Sequence, residues 1–223
     1  MLLAIDTSTS WISLALYDGS FVRYEVTWQT QHHHTIELAP AIDLLFTRTG
    51  TTSADLTAIA IAIGPGSFTS LRIGVAAAKG LALALKIPLV GIPSLDVIAL
   101  AQPVNEKPLI AVLSAGRTRL AYAEYRLEDT QWQQVSQPAV IEPKDLVKTI
   151  TEPTLVAGEL SESARAIISR RWKNAILASP AHALRRASYL AEIAWRRLTA
   201  GDTDDIHHLA PIYLSTANHP IPV

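Results

Sequence analysis

Cysteine is absent from the whole chain, which excludes disulfides and thiolate metal ligands and fits a reducing compartment. Charge of one sign is missing too: 19 Lys and Arg stand against 20 Asp and Glu, for a net charge of −1. A nucleic-acid binder that works alone carries a basic excess, so that class is not expected. No long apolar run goes uninterrupted. The longest, residues 71–101, is broken by Arg72, Lys79, Lys86 and Asp96 and by Pro88 and Pro93, so no membrane span is expected. The opening residues Leu2-Leu3-Ala4-Ile5-Asp6 lack a basic flank and read as a strand, not a signal peptide. A soluble, cytoplasmic protein is the expectation. Reactive groupings are also wanting, since no carboxylate pair, Ser-His-Asp order or activated nucleophile stands out.

What is present is apolar. Hydrophobic residues make up 49% of 223, enough for one large domain or two small ones, each with its own core. Strands are predicted at residues 2–6, 12–17 and 21–27, with Asp18-Gly19 as a tight hairpin signal. A helix follows over 35–49, with Pro40 expected to kink or delay its start. The alternating run A-I-A-I-A-I at 58–63 reads as a buried strand, and 71–85 as a helix of Leu, Val, Ala and two glycines. A strand at 89–92 and a helix from Ser94 complete the order βββαβαβα.

The proline-flanked segment 102–108 reads as a linker, which divides the chain into domains 1–102 and 109–223. Beyond it the order restarts: strands at 109–114, 120–126 and 131–135, a helix at 143–150, a strand at 154–157, a helix at 162–169. A final helix is predicted over 181–199, free to pack back on the first domain. The second half echoes the first in element order, an α/β layered pattern, without a residue-level repeat.

Four groups carry possible chemistry. Gly64-Pro65-Gly66-Ser67-Phe68-Thr69 joins a strand to a helix, and such a turn either cradles an anion or is simply tight. It lacks the lysine of a Walker loop and the third glycine of a dinucleotide fingerprint. Asp6-Thr7-Ser8-Thr9 could hold a magnesium-bound phosphate or satisfy backbone donors of its own hairpin. His32-His33-His34 lacks a partner at ligand spacing and reads as a solvated helix entry. Arg185 with Arg196, and Arg186 with Arg197, are eleven residues apart and predict a basic stripe on the last helix. The two front helices are too apolar for one sheet to cover both, so a partner surface is expected there.

Certain segments resemble a known family. L-A-I-D-T-S-T-S at 3–10, H-T-I-E-L-A-P-A-I-D at 34–43, G-P-G-S-F-T-S-L-R-I-G at 64–74, A-K-G-L-A-L-A-L at 78–85, I-P-L-V-G-I-P-S-L at 87–95 and P-I-Y-L at 211–214 are similar to the TsaB (YeaZ-type) family. That family is the smaller paralogue of the tRNA threonylcarbamoyladenosine transferase subunit TsaD, and is labelled in places as glycoprotease-like. The match is dense over the first hundred residues and survives in outline after that. Ser70 departs from a usual glycine, and Ser114-Ala115 from a usual Asp-Ala-Arg turn.

The resemblance implies a duplicated actin-like, Hsp70-like (ribonuclease H-type) fold, with mixed sheets flanked by helices. It implies a non-catalytic subunit that pairs with a TsaD-like transferase, alongside a TsaE-like ATPase, to modify N6 of adenosine 37 in tRNA. Contact with tRNA is then indirect, and a homodimer is the expectation when the partner is absent. The interface expected from the two front helices comprises His34, Leu38, Ile42, Leu71, Gly74, Val75, Ala78 and Leu81. Any nucleotide contact would fall on Asp6, Thr7, Gly64, Gly66 and Ser67, with ATP or ADP bound only in the complex and no cofactor on the chain alone. TsaD-like chains bind a metal through two histidines four apart. Here Leu38 follows His34, so no metal is expected. The competing readings are an actin-fold ATPase or sugar kinase, using the same Asp6 and Gly64–Gly66 positions, and a peptidase.

Overall fold

A computed structural model describes residues 1–214 apart from 32, 117 and 172, so the His32 reading lies outside the described residues. The described residues divide into two compact units, Met1–Val97 with Arg186–Ile212, and Ile98–Arg185 with Tyr213 and Leu214. The division therefore falls about five residues before the Pro-flanked linker, inside a helix, and the last helix belongs to the first unit.

In the first unit, strands β1 (Leu2–Asp6), β2 (Trp11–Tyr17) and β3 (Val22–Gln29) form an antiparallel meander. Helix α1 (His34–Thr49), strand β4 (Ala58–Gly64), helix α2 (Phe68–Leu85) and strand β5 (Leu89–Pro93) follow, with a helix α3 (Ser94–Leu100) after them. The sheet order is β3-β2-β1-β4-β5, with β4 and β5 parallel to β1. Pro40 sits inside α1 without ending it. The amide that proline lacks would have paired with the carbonyl of Ile36, an exposed residue.

The A-I-A-I-A-I run sorts residues by size as well as by face. Ile59 and Ile61 join Leu3, Ile5 and Leu14 in the core beneath α1 and α2. Ala58, Ala60 and Ala62 face the other way with Leu2 and Ala4, against α7 (Ala187–Thr199). Small side chains on that face let Ala187, Ala191 and Ala194 of α7 come close to the sheet.

The second unit repeats the plan. Strands β6 (Leu109–Ser114), β7 (Leu120–Glu128) and β8 (Gln131–Gln134) form the meander, with β9 (Ala139–Ile141) also pairing β7. Helix α4 (Pro143–Thr149), strand β10 (Thr154–Gly158), helix α5 (Glu162–Ser169), strand β11 (Ala175–Leu177) and the short α6 (Pro180–Ala183) complete it. The order β11-β10-β6-β7-β8 is the first sheet's order read from the other edge, with the same parallel and antiparallel pairs. Two copies of a mixed sheet with helices on its faces make this an α/β chain of the duplicated ribonuclease H type.

The predicted helix over 181–199 is two helices, broken where Arg186 takes an extended backbone as the cap of α7. The basic stripe is therefore absent. Arg185 is buried and ion-paired with Glu159, Arg186 pairs with Glu25, and Arg197 pairs with Asp202 and Asp204.

Two glycines in α2 give opposite expectations for the same substitution. A Cβ on Gly74 would collide with the Thr7 side chain, whereas one on Gly80 would meet nothing. Gly to Ala in a helix interior gains about 0.8–1 kcal/mol of propensity, so G80A is expected to stabilise by up to that amount. Overpacking at Gly74 costs about 1–3 kcal/mol, so G74A is expected to destabilise. Urea unfolding midpoints of the two variants against the parent chain check the difference in sign.

Candidate functional site

Two places in the first unit bear on function: the glycine turn into α2 and the space between α1 and α2. At the turn, Asp6, Thr7, Gly64 and Ser67 are each hydrogen-bonded to a neighbouring serine, Ser8, Ser70 or Ser94. Asp6 Oδ1 accepts the Ser8 amide at 2.8 Å, and Thr7 Oγ1 donates to the Ser70 carbonyl at 2.9 Å. The Ser67 amide donates to the Ser8 carbonyl at 2.7 Å, and the Gly64 amide to Ser94 Oγ at 3.1 Å. Ser8 Oγ and Ser94 Oγ share a further hydrogen bond of 2.6 Å. Asp6, Thr7 and Ser8 are all buried. A Cβ at Gly66 would fall on the Ser8 carbonyl oxygen, so this glycine admits the β1–β2 turn, not a ligand.

Ser70, the departure from the family's glycine, is buried and its hydroxyl donates to Ser67 Oγ at 3.0 Å. Gly64 has a φ of 106°, a conformation open to glycine, where β4 leaves the sheet. Amides at Ser8, Gly64 and Ser67 thus have protein acceptors.

The space between α1 and α2 is a groove of about 760 Å³. Its floor and walls are mostly apolar, with Leu38, Ile42 and Phe46 from α1 and Ile73, Ala77 and Leu81 from α2. Thr51, Thr52 and Ser53 close one end, and Asp43 is the one lining residue that carries a formal charge independent of histidine protonation. Ile36, Leu44 and Leu83 stand exposed elsewhere on the same two helices. Only a third of α2 is buried, although by length and composition it is apolar enough to cross a bilayer. Of its uncovered residues, Ile73, Ala77, Gly80 and Leu81 line the groove.

Of the expected interface residues, His34, Leu38, Ile42 and Leu81 line this groove. Leu71, Gly74, Val75 and Ala78 do not: all four are buried on the opposite face of α2, against the unit's own sheet. The correction is one of helix phase. The sheet-facing and groove-facing sides of α2 are both apolar, while its charged residues Arg72 and Lys79 lie on a third side, and the Gly74-Ala78-Ala82 row of small residues is where the helix approaches the sheet. The row Ile73-Ala77-Gly80-Leu81 was legible only as its complement.

His34 also departs from expectation. Far from being a solvated helix entry, it is buried, and its Nε2–H donates to the Thr9 carbonyl at 2.8 Å. His33 is exposed and lies 3.7 Å from Glu37. Among the described residues no group of three or more His, Asp or Glu converges on a metal position. Glu37 anchors the first turn of α1 to the meander, accepting from Trp28 Nε1 at 2.7 Å and Thr30 Oγ1 at 2.9 Å.

The sequence model of the family described as "TsaD: tRNA N6-adenosine threonylcarbamoyltransferase" matches residues 27–218. The Escherichia coli tRNA threonylcarbamoyladenosine biosynthesis protein TsaB is 28% identical over 229 aligned residues, covering 96% of this chain and 94% of that protein. The chain belongs to the TsaB (YeaZ-type) branch of the TsaD family. The solved structure of YeaZ from Pseudomonas aeruginosa superposes with a TM-score of 0.78 at 24% identity, covering 96% of this chain and 99% of that one, which establishes the shared fold. A tRNA N6-adenosine threonylcarbamoyltransferase from Solidesulfovibrio magneticus is 34% identical over 144 residues, covering 56% of this TsaB-family chain but 39% of that enzyme.

The anchor of α1 has a pH signature. Hydrogen bonding from the Trp28 indole, and then from Thr30, holds the Glu37 carboxyl below its ordinary value of 4.5, outweighing the opposing effect of desolvation. A carboxyl depressed on folding contributes stability above its unfolded pKa and loses it as pH falls through the lower folded pKa. The carboxyls of Asp18, Asp55, Asp145, Asp202 and Asp205 shift the same way. The useful measurement is therefore the difference between the parent chain and E37Q. The parent is expected to lose more thermal stability than E37Q on acidification from pH 6 through the carboxylate range, with indole emission changing over the same interval. Parallel stability curves would show that this carboxylate does not hold the helix.

Proposed function

We propose that this chain is a non-catalytic subunit in the formation of N6-threonylcarbamoyladenosine at position 37 of tRNA, and that it pairs with a TsaD-like transferase through the α1–α2 groove. The observation that carries the proposal is the groove itself. A contiguous apolar trough walled by two helices of a chain that is otherwise well packed is the kind of surface a partner helix covers. The names carried by the related proteins supply the process, tRNA threonylcarbamoyladenosine biosynthesis.

The turn at Asp6, Thr7, Gly64, Gly66 and Ser67, hydrogen-bonded to Ser8, Ser70 and Ser94 and closely packed at Gly66, supports a chain that holds no nucleotide by itself, with ATP or ADP entering only in the complex. A TsaE-like ATPase is the further partner in this reading, tRNA is met indirectly, and the complex works in the cytoplasm. Without the transferase, the same groove is open to a weaker homodimer, which the transferase displaces.

Ala77 and its neighbour Ala78 separate docking from folding. Ala77 lines the groove, whereas Ala78 is wholly buried against the sheet. A77E places a carboxylate in the contact and is expected to weaken binding of the purified cognate transferase by about a hundredfold or more while leaving the thermal midpoint nearly unchanged. A78E is expected to unfold the unit. Transferase binding by A77E equal to the parent's would overturn the docking reading. For the isolated chain, magnesium–ATP is expected to be neither bound tightly nor hydrolysed, and hydrolysis abolished by D6A would overturn the non-catalytic reading.

A further inference from the structure

The α1–α2 groove, mostly apolar with neutral hydroxyls at one end, carries a single carboxylate. Asp43 stands on its α1 wall, one helical turn from Ala39 and one from Thr47, and is exposed. Other acidic groups close by have partners: Glu37 takes Trp28 and Thr30, and Asp55 takes the Thr52 amide and hydroxyl. The hydroxyl of Thr47 donates to the backbone carbonyl of Asp43 and leaves its carboxylate alone. Among the described residues that carboxylate has neither an ion pair nor a hydrogen bond.

Water satisfies Asp43 while the groove is open. A helix laid into the trough displaces that water, and a desolvated carboxylate without a cation opposes binding strongly. The occupant must therefore bring the missing positive charge. A second copy offering the same groove cannot, because no residue lining it is Lys or Arg. An isologous contact of this face sets two unpaired carboxylates on one shared surface.

We propose that Asp43 selects the occupant of the groove: a helix of a different protein that sets a Lys or Arg against this carboxylate within an otherwise apolar stripe. The proposal rests on the docking reading above, with the TsaD-like transferase as the protein that supplies the helix. It adds that recognition there is electrostatic as well as apolar, and that charge discriminates the transferase from self.

Titration of the purified cognate transferase into the full chain, at low and at high salt, tests it. The parent's affinity is expected to fall with salt. D43N, which keeps shape and removes charge, is expected to bind at least about tenfold more weakly and to lose most of the salt dependence, and D43K about a hundredfold more weakly. Thermal midpoints of both variants are expected to match the parent, since the side chain is exposed. A Lys-to-Glu or Arg-to-Glu scan of the transferase helix should find one position whose defect D43K relieves.

Affinity and salt slope unchanged in D43N and D43K, with A77E still abolishing binding, would overturn this proposal and leave the docking reading standing. Binding intact in A77E would overturn both. Tighter self-association of D43N by sedimentation, with transferase affinity unmoved, would assign the groove to a second copy and likewise overturn the proposal.

Discussion

Two glycines on the way from β4 through α2 decide how closely the Asp6–Thr9 turn can lie against that helix, because a Cβ at Gly66 would strike Ser8 and one at Gly74 would strike Thr7. The close approach lets Thr7 Oγ1 reach the Ser70 carbonyl and the Ser67 amide reach the Ser8 carbonyl. These bonds fix the first turn of α2 to the end of β1. The height and rotation of the helix on its sheet follow from that, and so does the face it leaves uncovered. The same contacts engage the amides of Ser8 and Ser67.

Helix α2 consequently serves two surfaces at once. Leu71, Gly74, Val75, Ala78 and Ala82 meet the sheet, and Ile73, Ala77, Gly80 and Leu81 meet the groove. On α1, Leu38 and Ile42 reach both the core and the groove floor, while Ala39 and Asp43 face only outward. The trough is thus a continuation of the core to the surface, supported from beneath by the same leucines that hold the unit together. His34, hydrogen-bonded to Thr9, and Glu37, bonded to Trp28 and Thr30, pin the near end of α1 to the meander.

Much of this was readable in the sequence, and the failures have physical causes. Strands at the front of each unit declared themselves through period-two patterning and β-branched residues, and the helix at Glu162–Ser169 fell where its apolar spacing put it. The two-unit echo was legible as element order and appears in the structure as identical sheet connectivity. Three-residue strands such as Ala139–Ile141 and Ala175–Leu177 are too short to leave a period. The start of α7 was hidden because apolar spacing continues across Leu184, while the break depends on Arg185 being drawn to Glu159, a residue distant in sequence. Burial of His34 likewise depends on a carbonyl 25 residues away. The need for a partner surface could be inferred from too much apolar helix for one sheet. His34, Leu38, Ile42 and Leu81 of the expected set line it, while Leu71, Gly74, Val75 and Ala78 do not, because two sides of α2 are equally apolar and its charged Arg72 and Lys79 mark neither of them.

Strand β4 is buried on both faces, so the usual rule of oily side in and polar side out cannot fix its alignment with its neighbours. Volume does so instead. Slipping A-I-A-I-A-I by one residue against Leu3 and Ile5 would exchange every isoleucine for an alanine across the sheet. Methyl-sized gaps would open under α1 and α2, while branched side chains would be driven into the closely fitted alanines of α7. The strand therefore acts as a steric key, its register read in cubic ångströms, and a double exchange such as I61A/A60I tests that lock without altering hydrophobic composition at all.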